Sequence, residues 1–358
     1  MLTTPSIRAA ALYELDRPLR LVDALVPPEL GRGQVLVKLA YSGVCHSQVM
    51  ETRGRRGEDR YLPHLLGHEG SGLVLATGEG VSKVRTGDRV ILGWIRGEGL
   101  DSTGIRYRKG AETINAGAVT TFNDHAVVAE NRCVPLPRGV PMDVAVLFGC
   151  ALPTGAGIVT NVLQPVAGSS VAIFGLGGIG LSALMACGLY DCARVIAVDV
   201  SQEKLDLARE FGATHAVDAS RSNAVDEVRK LTGGAGADYA VEAAGSARTI
   251  EQAFDAARRG GGSCVFASHP AQGERVSLDP YEMICGKRIA GSWGGECRPD
   301  RDVPKLAELY RRGKLPLEKL ISRRYRLDEI NQALDDLARG AVLRPLIEID
   351  ASIRPEGA

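Results

Sequence analysis

The sequence predicts an α/β protein in which a β-rich domain accompanies a second domain built on a doubly wound parallel sheet. Short apolar runs between glycine-rich turns fill the first third of the chain, apolar runs alternate with helical patterns from about residue 165, and two amphipathic segments form a short tail. A chain of 358 residues is long enough for two cores, and its 45% hydrophobic and 24% charged residues are typical of a globular protein.

The first third of the chain predicts short strands at Val35–Ala40, Gly72–Ala76 and Arg89–Leu92, separated by turns such as Thr77–Gly80. The polar stretch between Arg96 and Thr121 contains no cysteine, and we interpret it as a long loop. Loops of this length in a compact domain usually carry function or are disordered.

The middle of the chain alternates strands with helices, which is the pattern of βαβ units in a parallel sheet. The tail is too short to form a core alone, and we expect it to pack on the β-rich domain. The predicted strands are Ser170–Phe174, Arg194–Val198, Ala216–Val217, Asp238–Glu242, Ser263–Ala267 and Arg288–Ser292, the predicted helices are Gly178–Tyr190, Gln202–Phe211, Ala224–Leu231 and Ala247–Arg258, and the tail holds helices Val303–Arg312 and Leu327–Arg339 and the strand Arg344–Ile349.

The charge and cysteine content exclude several classes of function. Lysine plus arginine and aspartate plus glutamate each number 43, so the net charge gives no reason to expect a nucleic acid or an anionic membrane as partner. The N-terminal sequence MLTTPSIRAAALYELDRPLRL lacks the features of a signal peptide, and no apolar run reaches the roughly 20 residues of a spanning helix. We therefore expect a cytoplasmic protein whose eight cysteines are metal ligands or buried apolar residues.

A glycine-rich turn between a strand and a helix predicts a dinucleotide site. Gly175, Gly177 and Gly180 match G-x-G-x-x-G, in which the first glycine permits a tight turn, the second admits the pyrophosphate and the third allows close helix–strand packing. Asp199 ends the next strand, where a carboxylate binds the ribose hydroxyls and repels a 2′-phosphate. This pattern favours NAD over NADP, and the alternative is an ordinary glycine turn with an aspartate at a strand end.

Three separate segments supply candidate zinc ligands. Cys45 follows the first predicted strand, His68 precedes the second, and Cys150 lies before the parallel-sheet region. Two thiolates and an imidazole form the Cys₂His set of catalytic zinc sites, in which the fourth position is left for water or substrate. Taken singly, each cysteine could be a buried inert residue and His68 a hydrogen-bonded core histidine.

The residues around these sites resemble the zinc-containing alcohol dehydrogenase family of the medium-chain dehydrogenase/reductase superfamily. The motif Gly67-His68-Glu69-x-x-Gly72-x5-Gly78-x-x-Val81 is similar to the family signature, and GVCHS, GCALPTGAG, VAIFGLGGIGLS and GAVLRPLIE occur in the family's order along essentially the whole chain. The resemblance implies a GroES-like catalytic domain at 1–151 and 295–358, a Rossmann NAD-binding domain at 152–294, and hydride transfer between an alcohol and NAD at a catalytic zinc.

The same resemblance implies a role for each matching residue. Glu69 would approach the metal during ligand exchange, and Ser47 would bond the substrate oxygen and take its proton. The metal ligands would be Cys45, His68 and Cys150; the NAD contacts would be His46 and Arg344 at the pyrophosphate, Gly175, Gly177, Gly178 and Gly180 in the glycine turn, Ile179 behind the nicotinamide, and Asp199 with Lys204 at the ribose; and the substrate pocket would include Trp94 and Phe122.

Three positions depart from the family's usual pattern. The segment Gly93–Gly110 contains none of the four closely spaced cysteines that often hold a structural zinc, so we predict a single, catalytic zinc. Met50 stands where the proton relay ends in a histidine, and a methionine cannot carry a proton. Gln48 replaces the aspartate that commonly supports the zinc-bound histidine, and an amide lacks the charge that raises ligand basicity.

The substrate and the assembly have two interpretations each. Basic residues crowd the loop after Cys45 and the stretch interpreted as a long loop, so we consider a polar or anionic alcohol, with an ordinary solvated surface as the alternative. In the family, the last strand of the nucleotide sheet commonly pairs across a two-fold axis, which implies a dimer, with a tetramer as the alternative. The basic residues are Arg53, Arg55, Arg56, Arg60, Arg96, Arg106, Arg108 and Lys109.

Two other functions stay open as alternatives. A zinc-free quinone or enone reductase of the same superfamily would lack the Cys/His/Cys set, and an inactive NAD-binding protein would account for Met50 and Gln48. We assign no role to the remaining histidines and cysteines, among them His64 and Cys133.

Overall fold

The structure is a computed structural model that describes residues 6–25, 27 and 29–355. The first five residues belong to the N-terminal segment in which we predict no signal peptide, and they lie outside the described residues. Contacts divide the chain into two compact units, of which unit 1 comprises Met1–Cys150, Arg298–Arg312 and Leu317–Ala358, and unit 2 comprises Ala151–Cys297 and Gly313–Pro316.

The described elements follow one another along the chain as a β-rich first part, a middle in which strands and helices alternate, and a last part of two helices and two strands. Among these residues no single helix is long and apolar enough to cross a membrane, and one bent pair, Met142–Gly149 with Ala151–Leu163, passes that test only when its parts are combined. The elements are β1 (Ile7–Leu12), β2 (Arg20–Leu25), β3 (Gln34–Gly43), α1 (His46–Thr52), β4 (His64–Leu65), β5 (Gly70–Thr77), β6 (Arg89–Leu92), β7 (Arg106–Lys109), β8 (Glu112–Asn115), β9 (His125–Ala129), β10 (Cys133–Pro135), α2 (Met142–Ala145), α3 (Ala151–Gly157, continued by a π-helical turn at Ile158–Leu163), β11 (Ser170–Phe174), α4 (Gly178–Cys187), β12 (Arg194–Asp199), α5 (Gln202–Glu210), β13 (His215–Asp218), α6 (Ala224–Leu231), β14 (Tyr239–Glu242), α7 (Ala247–Ala256), β15 (Ser263–Phe266), α8 (Pro280–Ile284), β16 (Arg288–Gly291), α9 (Pro299–Arg311), β17 (Ile321–Arg326), α10 (Ile330–Ala338) and β18 (Arg344–Glu348), with short 3₁₀ turns at Glu130–Arg132, Val146–Gly149, Gly294–Glu296, Leu317–Leu320 and Leu327–Glu329.

Unit 1 is organised around the long strand β3. This strand pairs with β5, β9 and β18 in a sheet whose order is β10-β6-β5-β3-β18-β17, while a second sheet has the order β2-β1-β4-β8-β7. The apolar residues Val35, Val37 and Leu39 of β3 are completely buried in one core cluster of this unit. Because β18 pairs antiparallel with the end of β3, with Leu346 opposite Gly43, the tail packs on the β-rich unit as predicted.

The stretch predicted as a long loop contains a β-hairpin, so that prediction was wrong for its central part. Strands β7 and β8 pair antiparallel from Arg106 opposite Asn115 to Lys109 opposite Glu112. The side chain of Tyr107 is completely buried, whereas its neighbours in β7 are exposed. The basic residues Arg106 and Arg108 are therefore solvent-facing positions on either side of the buried Tyr107.

A buried carboxylate holds the segment that precedes the hairpin. Glu130 is completely buried, and its Oε1 accepts the backbone N–H of Ser82 at 2.6 Å and of Lys83 at 2.7 Å. Its Oε2 accepts the backbone N–H of Leu100 at 2.7 Å. Burial raises the pKa of Glu130, but these donors outweigh burial and hold the pKa below its ordinary value. The carboxylate therefore ties the cysteine-free segment, through Leu100, to the backbone of Ser82 and Lys83.

Unit 2 contains the predicted parallel sheet, with the strand order β13-β12-β11-β14-β15-β16 and every neighbouring pair parallel. All five residues of β11 are buried, which is why this strand has a continuous apolar sequence instead of an alternating one. The order reverses beside β11, and ligands of such sheets bind at the carboxyl ends of the strands next to this reversal. The glycine turn after β11 lies at that point.

Candidate metal centre and dinucleotide turn

The three predicted zinc ligands lie together in unit 1. The Sγ atoms of Cys45 and Cys150 are 4.0 Å apart, and Nε2 of His68 is 3.3 Å from Sγ of Cys150. The ligand atoms of these residues and of Glu69 all lie within 4.8 Å of one another. Two thiolates at about 2.3 Å from one tetrahedral zinc are about 3.8 Å apart, so the observed separation fits a shared ion. These four residues are called the metal centre below.

The chain positions each ligand at the end of a regular element. Cys45 is the N-cap residue of α1, two residues after the end of β3. His68 follows Gly67, whose φ of +88° favours glycine and whose added Cβ would lie 2.4 Å from Oγ1 of Thr121. Cys150 follows Gly149, where a Cβ would lie 2.3 Å from the carbonyl oxygen of Leu92. Glycine is therefore required at positions 67 and 149 for the ligand side chains to approach one another.

Glu69 is a buried carboxylate next to the ligands, and it was expected from the resemblance. A Cβ at Gly43 would lie 2.7 Å from the carboxyl carbon of Glu69, and a Cβ at Gly149 would lie 2.9 Å from the Cβ of Glu69. The absence of side chains at these two glycines therefore leaves room for Glu69. One carboxylate oxygen accepts a hydrogen bond from Arg344, and the other has no partner among the described residues. An orphaned buried oxygen beside two thiols fits a nearby cation.

Arg344, which the resemblance assigns to the NAD pyrophosphate, contacts Glu69 in the described structure. It starts β18 in unit 1, is 5% exposed, and forms an ion pair with Glu69. Burial lowers the pKa of its guanidinium, but Glu69 and the sulfurs of Cys45 and Cys150 raise it above the ordinary value. The guanidinium therefore compensates the negative charge of the metal centre.

The two thiols of the metal centre differ in acidity. The hydrogen bond from Cys150 holds the pKa of Cys45 well below its usual range, and Cys150 in turn has a pKa well above it. Burial lowers the pKa of His68, but the hydrogen bond with Cys45 and the negative charges of Cys45 and Glu69 together outweigh burial and raise it. The first thiolate therefore forms on Cys45, beside an imidazole and a guanidinium, which is the form that binds a metal.

The remaining residues predicted for unit 1 occupy mixed environments. His46 is exposed and Ser47 is half-buried in the first turn of α1. Trp94 is half-buried, and its carbonyl accepts a hydrogen bond from Arg132. Phe122, which is predicted to line the substrate pocket, is 1% exposed and packs in a core cluster of unit 1.

Sequence reasoning missed a second group of potential ligands. Glu51, Asp59 and His64 offer atoms within 4.8 Å of one another. His64 donates from Nδ1 to the carbonyl of Leu65 at 3.0 Å and faces Asp59 with Nε2 at 2.8 Å. Each of these residues is separated from the next by at least four positions of irregular chain, so only the folded backbone brings them together.

The glycine turn of unit 2 has the geometry expected of a dinucleotide site. Gly175 has φ of +88°, and a Cβ at Gly180 would lie 1.8 Å from the carbonyl oxygen of Gly175. A Cβ at Gly177 would meet nothing within 4 Å, so this position opens onto free space where a pyrophosphate could approach. Helix α4 starts at Gly178, with Ile179 half-buried in its first turn, and its free N–H groups favour an anion.

Asp199 ends β12 beside this turn and has a structural contact that the sequence did not reveal. Its Oδ2 accepts the backbone N–H of Leu176 at 2.7 Å, and its Oδ1 accepts those of Val200 at 2.8 Å and Ser201 at 3.0 Å. Lys204 is half-buried in the first turn of α5. The carboxylate predicted to bind the ribose therefore also orders the glycine turn.

Comparisons with known proteins give similarities along the whole chain. Residues 31–138 match the model of the alcohol dehydrogenase GroES-like domain, and residues 178–312 match that of zinc-binding dehydrogenases. The S-(hydroxymethyl)glutathione dehydrogenase of Synechocystis sp. is 30% identical over 95% of this chain and 99% of its own, and the class-3 alcohol dehydrogenase of Myxine glutinosa is 31% identical over 96% and 97%. The crystal structure of benzyl alcohol dehydrogenase from Acinetobacter calcoaceticus is similar, with a TM-score of 0.87 at 29% identity over 96% of this chain and 99% of that one.

Proposed function

The chain belongs to the zinc-containing alcohol dehydrogenase family of the medium-chain dehydrogenase/reductase superfamily, and from this premise we propose that it transfers hydride between an alcohol and NAD with one catalytic zinc. The observation that carries the proposal is the convergence of Cys45, His68 and Cys150 beside a carboxylate oxygen without a described partner. A zinc-free reductase has no use for such a ligand set, and this argues against that alternative.

In unit 1, three side chains would hold the metal and a fourth position would take the substrate. When bound, zinc lowers the pKa of an alcohol and polarises a carbonyl, and NAD accepts the hydride. Ser47 would take the alcohol proton, and because Met50 cannot carry it further, the half-exposed hydroxyl would pass the proton to solvent. The Arg344 guanidinium would compensate the negative charge of Glu69 and so reduce its repulsion with the thiolates.

In unit 2, the glycine turn would bind the pyrophosphate and Asp199 the ribose. Open space at Gly177 and the free N–H groups at the start of α4 support a pyrophosphate contact. The charge of Asp199 supports NAD over NADP because a carboxylate repels a 2′-phosphate. Lys204 and Ile179 would contact the cofactor from the first turns of α5 and α4.

The proposal is tested by measuring zinc content and turnover on the same purified protein. We expect about one zinc per chain in elemental analysis and NAD-linked turnover within a panel of alcohols and aldehydes, and both should be lost in Cys150→Ser. Turnover that survives zinc removal would instead support the zinc-free reductase. NAD binding without turnover across the panel would support an inactive dinucleotide-binding protein.

We further propose a polar or anionic substrate, with Arg55 as its contact. Arg53 pairs with Asp335 at 3.0 Å and Arg56 lies 3.8 Å from Glu51, whereas no ion pair of Arg55 is seen among the described residues. The name of the Synechocystis relative, which acts on a glutathione adduct, supports this substrate class. Arg55→Ala should lower kcat/KM for an anionic alcohol but not for a neutral one of equal length, and Arg108→Ala on the hairpin is the control. Equal losses on both alcohols refute the proposal.

We also propose a cytoplasmic homodimer. None of the eight cysteines, all of them among the described residues, forms a disulfide bond, which supports a reducing compartment. The edge strand β16 lies near large apolar side chains that are well exposed, Tyr281 at 58%, Ile284 at 81% and Trp293 at 76%, and such a surface favours association. Light scattering on Ile284→Asp should show a smaller species than the wild type, and an unchanged mass would contradict the interface. The same measurement distinguishes a dimer from a tetramer.

A further inference from the structure

Gln48 lies between two groups of the metal centre and contacts both. Its side chain is 1% exposed in the first turn of α1. Oε1 accepts the backbone N–H of Cys45 at 3.0 Å, and Nε2 lies 3.0 Å from Nδ1 of His68. One amide is therefore hydrogen-bonded to the backbone of one candidate ligand and to the ring of another.

The backbone fixes which end of the amide faces the ring. A backbone N–H can only donate, so the atom of Gln48 that faces Cys45 must be the carbonyl oxygen. The atom that faces His68 is then the NH₂ group, which can also only donate. Nδ1 of His68 must accept, and a neutral ring consequently carries its proton on Nε2. That proton points to Sγ of Cys150, 3.3 Å away, which is a consistent hydrogen bond.

Zinc requires the opposite arrangement of the ring. Nε2 is the nitrogen that lies among the ligand atoms, so it must offer its lone pair to the metal and the proton must move to Nδ1. Nδ1–H would then oppose the NH₂ group of Gln48 across the present 3.0 Å contact. Rotating the amide by half a turn places its carbonyl oxygen opposite Nδ1–H of His68, but it also places the NH₂ group opposite the N–H of Cys45. In either orientation one buried donor loses its acceptor.

We propose that Gln48 is a positioning residue that holds His68 in the tautomer unable to bind zinc, so that the metal of this centre is bound weakly and exchanges readily. The inference rests on the proposed zinc site. Gln48 occupies the third position of α1, where a glutamate in a capping box accepts the N–H of the N-cap residue. A carboxylate there has two acceptor oxygens, one for Cys45 and one for Nδ1–H of His68, and thus removes the conflict without changing the length of the side chain.

The test compares zinc affinity in the wild type, Gln48→Glu and Met50→Glu by competition with a chromophoric chelator. Partners that orient a ligating histidine change metal affinity by about 10- to 100-fold, and we expect Gln48→Glu to bind zinc more tightly by that factor. Met50→Glu adds the same charge on the same helix without replacing the amide, so it measures the contribution of charge alone. A wild type that binds zinc as tightly as Gln48→Glu, or an equal gain in Met50→Glu, overturns the inference.

A second measurement does not depend on any variant. Long-range ¹H–¹⁵N NMR spectra of the metal-free wild type, at a pH where the ring is neutral, should show His68 protonated on Nε2. Protonation on Nδ1 in that state would overturn the inference. If neither the wild type nor Gln48→Glu binds zinc, the proposed zinc site itself fails, whereas tight zinc binding by the wild type leaves the proposed function intact and removes only the role of Gln48.

Discussion

Replacing Glu130 by glutamine should destabilise unit 1 through a single carboxylate that accepts three backbone N–H groups. In Glu130→Gln, the remaining oxygen can keep the two donors from Ser82 and Lys83, and the new NH₂ group then opposes the N–H of Leu100. A hydrogen bond to a charged acceptor is worth about 1.5–3 kcal/mol and a neutral one about 1, so losing one and weakening two amounts to about 4 kcal/mol. For a unit of this size, we expect the melting temperature to fall by about 8–16 °C.

The assay is thermal unfolding followed by circular dichroism over a range of pH. The folded pKa of Glu130 lies below its ordinary value of 4.5, so its stabilisation is present above the unfolded pKa and is lost as the pH falls through the folded pKa. The difference between wild type and Glu130→Gln should therefore be largest near neutral pH and shrink in acid. Glu58→Gln, at an exposed carboxylate of unit 1, is the control and should melt like the wild type. A Glu130→Gln protein that melts within about 1 °C of the wild type at neutral pH refutes the reasoning.

We expect three further outcomes, each of which follows from one contact or one charge of the described structure. Gly43→Ala places a Cβ 2.7 Å from the carboxyl carbon of Glu69 and should weaken zinc binding about tenfold or more in a chelator competition, whereas Gly117→Ala, with nothing closer than 3.9 Å, should not. Asp199→Asn removes the charge that repels a 2′-phosphate, so the ratio of kcat/KM for NAD over NADP should fall about tenfold, and an unchanged ratio would contradict the assigned role. Tyr325→Phe removes a hydroxyl that donates to a buried carboxylate at 2.5 Å and should lower the free energy of unfolding by about 1–3 kcal/mol in denaturant titrations.

The parallel sheet of unit 2 could be predicted strand by strand because its signal is local. The central strand β11 is a short apolar run buried on both faces, and helices such as α6 and α7 have an apolar face. The hairpin β7–β8 was missed because only Tyr107 and Ile114 of its eight residues are completely buried. A pattern of one apolar residue in four is too weak to distinguish an outer strand from a polar loop.

The sequence was sufficient to predict the candidate ligands of the metal centre, but it was not sufficient to predict the hydrogen bonds around them. Cys45, His68 and Cys150 belong to short motifs, and these motifs occur along the chain in the order that the family has. The ion pair of Glu69 with Arg344 joins residues 275 positions apart, and no local pattern marks such a contact. The orientation of the Gln48 amide depends on where the N–H of Cys45 points, which is a property of the folded helix start.

The pairing of β18 with β3 has a consequence for the order of events during synthesis. The candidate ligands have all been synthesised once Cys150 is made, but the guanidinium that balances Glu69 is almost two hundred residues further along the chain. A nascent chain must therefore carry its thiols without their cationic neighbour until Arg344 has been synthesised. We expect ribosome-bound chains that end before Arg344 to retain no zinc after gel filtration, and retention of the metal by such chains would show that the centre matures before the tail arrives.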